Sequence, residues 1–221
     1  MKGMIKAVIF DLDGTLLRMK LRVREAKIEL IKRLREMGID SDQIDVRIPT
    51  EEIVSRIVKN YGLSRSRLMR LVDEVYIPYE LEAAEAAELK EGVKDVLTEL
   101  RAMGFKLAVA SNNGRLGVNL ALENTSIKHF FDIIVTRNDV NRMKPDGTLI
   151  EETVRRLGIR PSEAVYVGDT GHDVLAAHRV GVPSIAVSGG ADPISRILNY
   201  QPEILIKDIR DLPDALRKFI E

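Results

Sequence analysis

The amino-acid sequence predicts an α/β fold, a doubly wound parallel sheet carrying an inserted all-helical unit. Three observations predict it. Ala7-Val8-Ile9-Phe10 has no polar face, as in a strand buried on both sides. From Glu91 onward, short apolar runs alternate with amphipathic stretches of helical period, the rhythm of βαβ units. Between Leu17 and about Ala86 amphipathic segments follow one another and nothing reads as a strand. The expected division is 1–16 and 87–221 for the α/β core and 17–86 for the helical insertion.

The elements follow in order. The first strand ends in Asp11-Leu12-Asp13-Gly14-Thr15. Leu21 to Met37 reads as a helix with Ile28, Ile31 and Leu34 on one stripe, stopped at Gly38. Ser41 to Pro49 reads as a loop. Thr50 with Glu51 and Glu52 marks a helix start, and the helix runs to Tyr61 before Gly62. Ser64 opens a third helix that Pro78 interrupts or kinks. Glu80 to Lys90, rich in Ala and Glu, reads as helical. Strands are expected at Phe105–Ala110, Phe131–Val135, Ala164–Val167, Ser184–Val187 and Ile204–Ile206. Helices are expected at Gly92–Met103, Leu116–Leu122, Leu149–Leu157, Asp173–Val180 and Leu212–Ile220.

Composition narrows the function classes. A chain of 221 residues with 45% hydrophobic and 31% charged residues has the makeup of a globular protein with a sizeable core. Lys plus Arg (34) equals Asp plus Glu (34), which gives no field that would gather nucleic acid. Cysteine is absent, which excludes a disulfide framework and a thiolate metal site. The apolar run after Met1 is too short for a signal peptide, and no stretch is long enough for a membrane span. A cytoplasmic location is the default expectation, with no nucleic-acid or membrane partner.

The chemistry-bearing residues gather at strand C-termini, the edge where open parallel sheets bind ligands. Asp11 and Asp13 follow the first strand. Ser111 and Asn112 follow the second. Asp169 follows Gly168 after Ala164–Val167. Neighbouring carboxylates repel unless a cation lies among them, and an oxygen-only set suits a hard divalent ion such as Mg²⁺. Gly14 permits a tight turn, and Thr15 adds a hydroxyl.

Four motifs stand in one order: Asp11-Leu12-Asp13-Gly14-Thr15, then Ser111 in Ala110-Ser111-Asn112, then Lys144 in Met143-Lys144-Pro145, then Gly168-Asp169-Thr170-Gly171-His172-Asp173. In these the chain resembles the haloacid dehalogenase-like hydrolase superfamily, and within it the phosphoglycolate phosphatase-like branch with a helical cap. The resemblance spans nearly the whole chain. It implies a Rossmann-like core, a cap formed by 17–86, Mg²⁺ as cofactor, and hydrolysis of a small phosphorylated metabolite, phosphoglycolate-like or a sugar phosphate, through an aspartyl-phosphate. It further implies Asp11 as nucleophile, Asp13 as general acid and base, and Lys144 as the cation balancing the acids. Thr15, Ser111, Asn112 and Lys144 would bind phosphate. Asp11, Asp13 (through its backbone carbonyl) and Asp169 would hold the metal. Asp173 would bind it through water or orient Lys144. Monomer and homodimer are both compatible.

Two alternatives stand beside this reading, a phosphomutase of the β-phosphoglucomutase type and a non-hydrolytic phospho-acceptor signalling domain. Thr15 favours a phosphatase over the mutase, which typically carries an apolar β-branched residue there. Asp13 and the long insertion argue against a signalling domain, which needs neither a hydrolytic acid nor a lid. Gly147 replaces the second proline of the third motif's usual Lys-Pro-x-Pro. Arg47 and Arg115 are candidates for substrate contact. His172 is expected at the rim, His129 and His178 in structural roles, and Gly189-Gly190 in a plain turn.

Overall fold

The computed structural model describes residues 4–40 and 44–220. The expectations for Met1 to Gly3 and for the first residues of the loop at Ser41 lie outside them. Six parallel strands form the main sheet in the order β5-β4-β1-β6-β7-β8: β5 Ile133–Thr136, β4 Lys106–Ser111, β1 Ala7–Phe10, β6 Ala164–Gly168, β7 Ser184–Val187 and β8 Ile204–Ile206. All four side chains of β1 are fully buried, because strands lie on both sides of it and helices cover both faces. Val8, Phe10, Val109 and Val167 face one apolar core with Leu97, Leu100 and Leu216. Ala7, Ile9, Ala108 and Tyr166 face the other with Leu149 and Val154. The helices in these layers are α4 Val93–Ala102, α5 Arg115–Asn124, α6 Thr148–Leu157, α7 Gly171–Arg179, α8 Ile194–Leu198 and α9 Leu212–Ile220. The five-residue α8 escaped the sequence reading, being too short to show a period.

Register places the site. Phe10 pairs with Val109 on one side and with Val167 on the other. Asp11 is therefore one residue beyond a level that Ser111 and Asp169 each pass by two. Three chain segments leave the sheet at the same edge.

The insertion between β1 and β4 holds α1 Val23–Glu36, α2 Thr50–Tyr61 and α3 Arg65–Glu85. They share an apolar core of their own, with Leu30, Leu34, Ile53, Ile57, Leu68 and Val72. Ile28 was expected on the buried stripe of α1. It is 48% exposed, while Ile31 and Leu34 are buried as expected and Ala26 and Leu30 join them. The insertion does not begin as helix either. Leu17–Arg18 (β2) and Glu88–Leu89 (β3) pair antiparallel and tie its two ends together. Two-residue strands leave no periodicity to read, and the helix expected to reach Lys90 ends at Glu85. Pro78 neither breaks nor ends α3, which is continuous across it. Packing on both sides outweighs the lost backbone bond: Tyr76 belongs to the core of the insertion, and Ala83 and Ala84 belong to the main core.

One buried ion pair joins the two cores. Arg137, 2% exposed and just after β5, forms a double contact with Glu80 of α3, which is 0% exposed. Arg137 Nε also donates to Asp73 at 2.6 Å, and the guanidinium lies over the Tyr76 ring. Removing one member of such a pair leaves a buried charge alone, at a cost of about 3–5 kcal/mol. Arg137→Met should therefore lower stability to urea by about that much. The double variant Arg137→Met/Glu80→Met should be the more stable of the two in the same assay. A single variant as stable as the parent would show that the pair carries no such constraint.

Candidate active site

Asp11 leaves β1 with its backbone N–H donating to Val167 O at 2.9 Å, which fixes the turn to the neighbouring strand. Lys144 Nζ reaches into the sheet edge and contacts four groups. They are Asp11 Oδ1 at 2.5 Å, Asp173 Oδ1 at 2.7 Å, the Tyr166 hydroxyl at 2.7 Å and Ala110 O at 3.2 Å. The ammonium is buried, yet Asp11 and Asp173 hold it protonated, well above the usual lysine range, against the opposing pull of burial. Asp173 stands in the first turn of α7. Its Oδ2 accepts from Thr170 N and Thr170 Oγ1 at 3.0 and 2.6 Å, a capping box. Burial pushes the Asp173 carboxyl up, but Lys144 overrides this and the net direction is down.

Asp169 is fully buried. Its Oδ1 accepts from Thr15 Oγ1 at 3.0 Å and its Oδ2 from Ala191 N at 2.6 Å. Two glycines make room for it. A Cβ on Gly14 would lie 2.3 Å from Asp169 Oδ2, and one on Gly190 would lie 2.1 Å from it. Gly190 therefore serves the site rather than a plain turn. Asp13 lies just outside this group, its Oδ1 accepting from Met19 N at 3.0 Å.

Asp11, Asp169 and Asp173 each offer one oxygen within 4.8 Å of the others. Burial, reinforced by mutual repulsion, pushes Asp11 up to about 7 and Asp169 to about 6. Burial likewise pushes Asp13 up to about 7, with the Asp11 charge adding to it. A single ammonium cannot balance three buried carboxylates. The all-oxygen donor set and the surplus of negative charge fit a divalent cation of the Mg²⁺ type. Asp173 is held by Lys144 and Tyr166 on Oδ1 and by Thr170 on Oδ2, whereas Asp169 accepts one hydrogen bond on each oxygen and, among the described residues, makes no ion pair, which leaves its charge the least offset of the three.

The remaining expected residues lie close by, with their polar atoms differently engaged. The Thr15 hydroxyl is directed to Asp169. Ser111 is 2% exposed and its Oγ accepts from Asn113 N at 3.2 Å. Asn112 grips the Lys144 backbone at both ends: its Oδ1 accepts from Lys144 N at 2.8 Å and its Nδ2 donates to Lys144 O at 3.1 Å. Gly147 has a packing reason, since a Cβ there would lie 2.4 Å from Val180 Cγ1. A cavity of about 320 Å³ lies between insertion and core and reaches the group at Lys144 and Asn112, with none of Asp11, Asp13, Asp169 and Asp173 in its lining. Lys27, Arg47, Tyr76 and Glu51 line it from the insertion, and Asn112, Lys144 and His172 from the core. Arg115 is drawn away to Asp139 at 2.8 Å. His178 contacts Glu203 at 3.2 Å, and His129 stacks on Phe130.

Sequence reasoning missed Tyr166, Glu51, Glu80, Arg137 and Lys90, whose Nζ donates to Gly14 O at 2.7 Å. Tyr166 carried a signal, a lone hydroxyl-bearing aromatic in a strand of Ala, Val and Gly. The others lie outside the motifs and carried none.

The raised carboxyls set a pH dependence of stability. Unfolded carboxyls lose their protons near pH 4. Asp13 keeps its own to about 7 when folded. The folded state binds more protons across that window, so this group makes stability fall as pH rises through it. In chelator, Asp13→Asn should gain thermal stability relative to the parent on going from pH 5 to pH 7.5. A difference in Tm that stays constant between the two pH values would show that Asp13 titrates as an ordinary carboxyl.

The haloacid dehalogenase-like hydrolase family model matches residues 8–187. The chain is 32% identical over 231 residues to the glyceraldehyde 3-phosphate phosphatase of Methanopyrus kandleri, covering 97% of this chain and 98% of that one. It is 26% identical over 217 residues to the pyrophosphatase PpaX of Oceanobacillus iheyensis, covering 94% and 95%. Among solved structures, a haloacid dehalogenase-like family protein of Streptococcus pneumoniae superposes with a TM-score of 0.67 at 24% identity, covering 96% of this chain and 98% of that one. At that identity the likeness speaks for the fold.

Proposed function

The chain belongs to the haloacid dehalogenase-like hydrolase family and is a phosphatase of it, and from that premise we propose a Mg²⁺-dependent phosphomonoester hydrolase acting on a small phosphorylated metabolite through an aspartyl-phosphate. The observation that carries the reading is the buried ammonium of Lys144 in contact with Asp11 and Asp173, whose oxygens cluster with one of Asp169, with Asp13 just outside the group.

Asp11 is the nucleophile. Lys144 orients its carboxylate and favours the ionised form. The bond from Asp11 to phosphorus forms as the ester P–O bond breaks, and the leaving oxygen takes the proton of Asp13. A water oxygen then attacks phosphorus, its proton returns to Asp13, and the Asp11–phosphorus bond breaks. A proton on Asp13 at neutral pH suits the first of these steps. Asp11 and Asp169, with the Asp13 carbonyl, are the residues to hold Mg²⁺, which when bound neutralises phosphate charge. Asp173 holds Lys144. Ser111 and the backbone N–H groups of Leu12 and Asn112 are the donors that this reading assigns to the phosphate oxygens. Residues 17–86 act as a cap, and the cavity of about 320 Å³ beneath it suits a compact substrate rather than a polymer. The names of the relatives put glyceraldehyde 3-phosphate and pyrophosphate on the trial panel beside phosphoglycolate and sugar phosphates.

Phosphate release from that panel should need Mg²⁺ and stop on chelation. Acid quench of turnover on an aryl phosphate, followed by intact mass measurement, should find a phosphoenzyme in Asp13→Asn and none in Asp11→Asn. Removing a general acid–base group lowers turnover about 100- to 10,000-fold, and a good leaving group recovers part of the first step. Covalent phosphate on Asp11→Asn, or undiminished release in chelator, would overturn the reading.

A further inference from the structure

Two acidic residues of the insertion are buried where the reaction does not use them. Glu80 has Arg137. Glu51 reaches further toward the site. It stands in the first turn of α2 and is only 6% exposed. Its Oε1 accepts from Ser55 Oγ at 2.8 Å and from the Arg65 guanidinium. Its Oε2 crosses to the core and accepts from Met143 N at 2.9 Å. Met143 is the residue before Lys144.

Two consecutive backbone N–H groups are thus held by side-chain oxygens from opposite sides of the cavity. Met143 N is bound by Glu51 of the insertion, and Lys144 N by Asn112 of the core. The segment has no strand or helix partner there, since β5 ends at Thr136 and α6 begins at Thr148. Met143 is itself 3% exposed, so its N–H would otherwise be an orphan with no water to take it. A carboxylate makes the stronger, charge-assisted bond.

We propose that Glu51 is a positioning residue for Lys144. Its bond to Met143 N completes the placement of the Lys144 ammonium against Asp11, and so makes that placement depend on where the insertion lies over the core. This rests on the phosphatase reading above. A misplacement of about 1 Å in a reacting constellation can cost about 100-fold in rate.

Three variants separate positioning from mere folding. Glu51→Ala removes the acceptor and should lower kcat about 10- to 100-fold with little change in KM. Glu51→Gln keeps an acceptor and should recover most of that loss. Arg65→Met removes the ion pair on the far side of Glu51 but leaves the Met143 bond, so it should lower Tm and spare kcat. Hydrogen exchange read by mass spectrometry gives a measure independent of turnover. The Met143–Lys144 peptide should exchange faster in Glu51→Ala and as in the parent in Arg65→Met. If the parent releases no phosphate with Mg²⁺, the phosphatase reading fails, and exchange still decides whether Glu51 holds the segment. If the parent is active and Glu51→Ala matches it in kcat, or if Arg65→Met loses kcat as Glu51→Ala does, the positioning role is overturned.

Discussion

The contact between Lys144 and the carboxylates of Asp11 and Asp173 is the constraint around which the sheet edge is arranged. A buried ammonium is costly unless paired, and buried carboxylates are costly for the same reason. Each therefore requires the other, and the remaining polar atoms are recruited to finish the job. Tyr166 supplies a hydroxyl beneath the ammonium, accepting from Lys144 Nζ and placed 3.2 Å from both Ala110 O and Asp173 Oδ1, either of which can take its one proton. Thr170 completes Asp173. Thr15 and Ala191 N complete Asp169. After all of this the negative charge is still in surplus, which on the proposed function a divalent cation would offset.

The same constraint gives two aspartates two residues apart different surroundings, although burial pushes both carboxyls up to about 7. Asp11 is held by Lys144 and is drawn toward ionisation by it. Asp13 has no cation paired with it among the described residues; burial, with the Asp11 charge, pushes it up against the pull of the Met19 and Gly14 backbone N–H groups. One environment suits a nucleophile and the other an acid. The difference comes from a turn: Gly14 lets the chain reverse immediately after Asp13, and the missing Cβ is what allows Asp169 to close in behind it.

Much of this was legible in sequence, and the reason is local. Strand ends, a glycine after a carboxylate and a helix-starting Asp173 are all written within a few neighbouring residues. Three of the four motifs sit at strand ends, where topology alone brings them together. What escaped was written across long separations. Arg137 and Glu80 are 57 residues apart, and Glu51 and Met143 are 92 apart. Each looks, in its own neighbourhood, like an ordinary charged surface residue. Pro78 misled for a related reason: its local preference argued against continuous helix, while the two cores gripping α3 on either side of it decided the matter. The pairing of β2 with β3 was invisible because two residues carry no period.

The polar groups between insertion and core divide unequally. Glu80, Asp73 and Arg137 form a charged joint at the end of α3 that packs into the main core, with Gly114 N also donating to Glu80 Oε2 at 3.1 Å. That joint bears on the loop after Ser111, because Arg137 Nη1 also donates to Asn112 O at 3.2 Å. At the other end of the cavity one hydrogen bond among the described residues, from Met143 N to Glu51, spans the gap. A joint of several charge-assisted bonds costs more to break than one such bond. Motion of the insertion would therefore pivot about α3 and open on the side of α2. The side that opens is the side that holds Lys144, so access for the substrate and completion of the ammonium's placement would alternate, as a site must that admits an anion and then shuts water out around it.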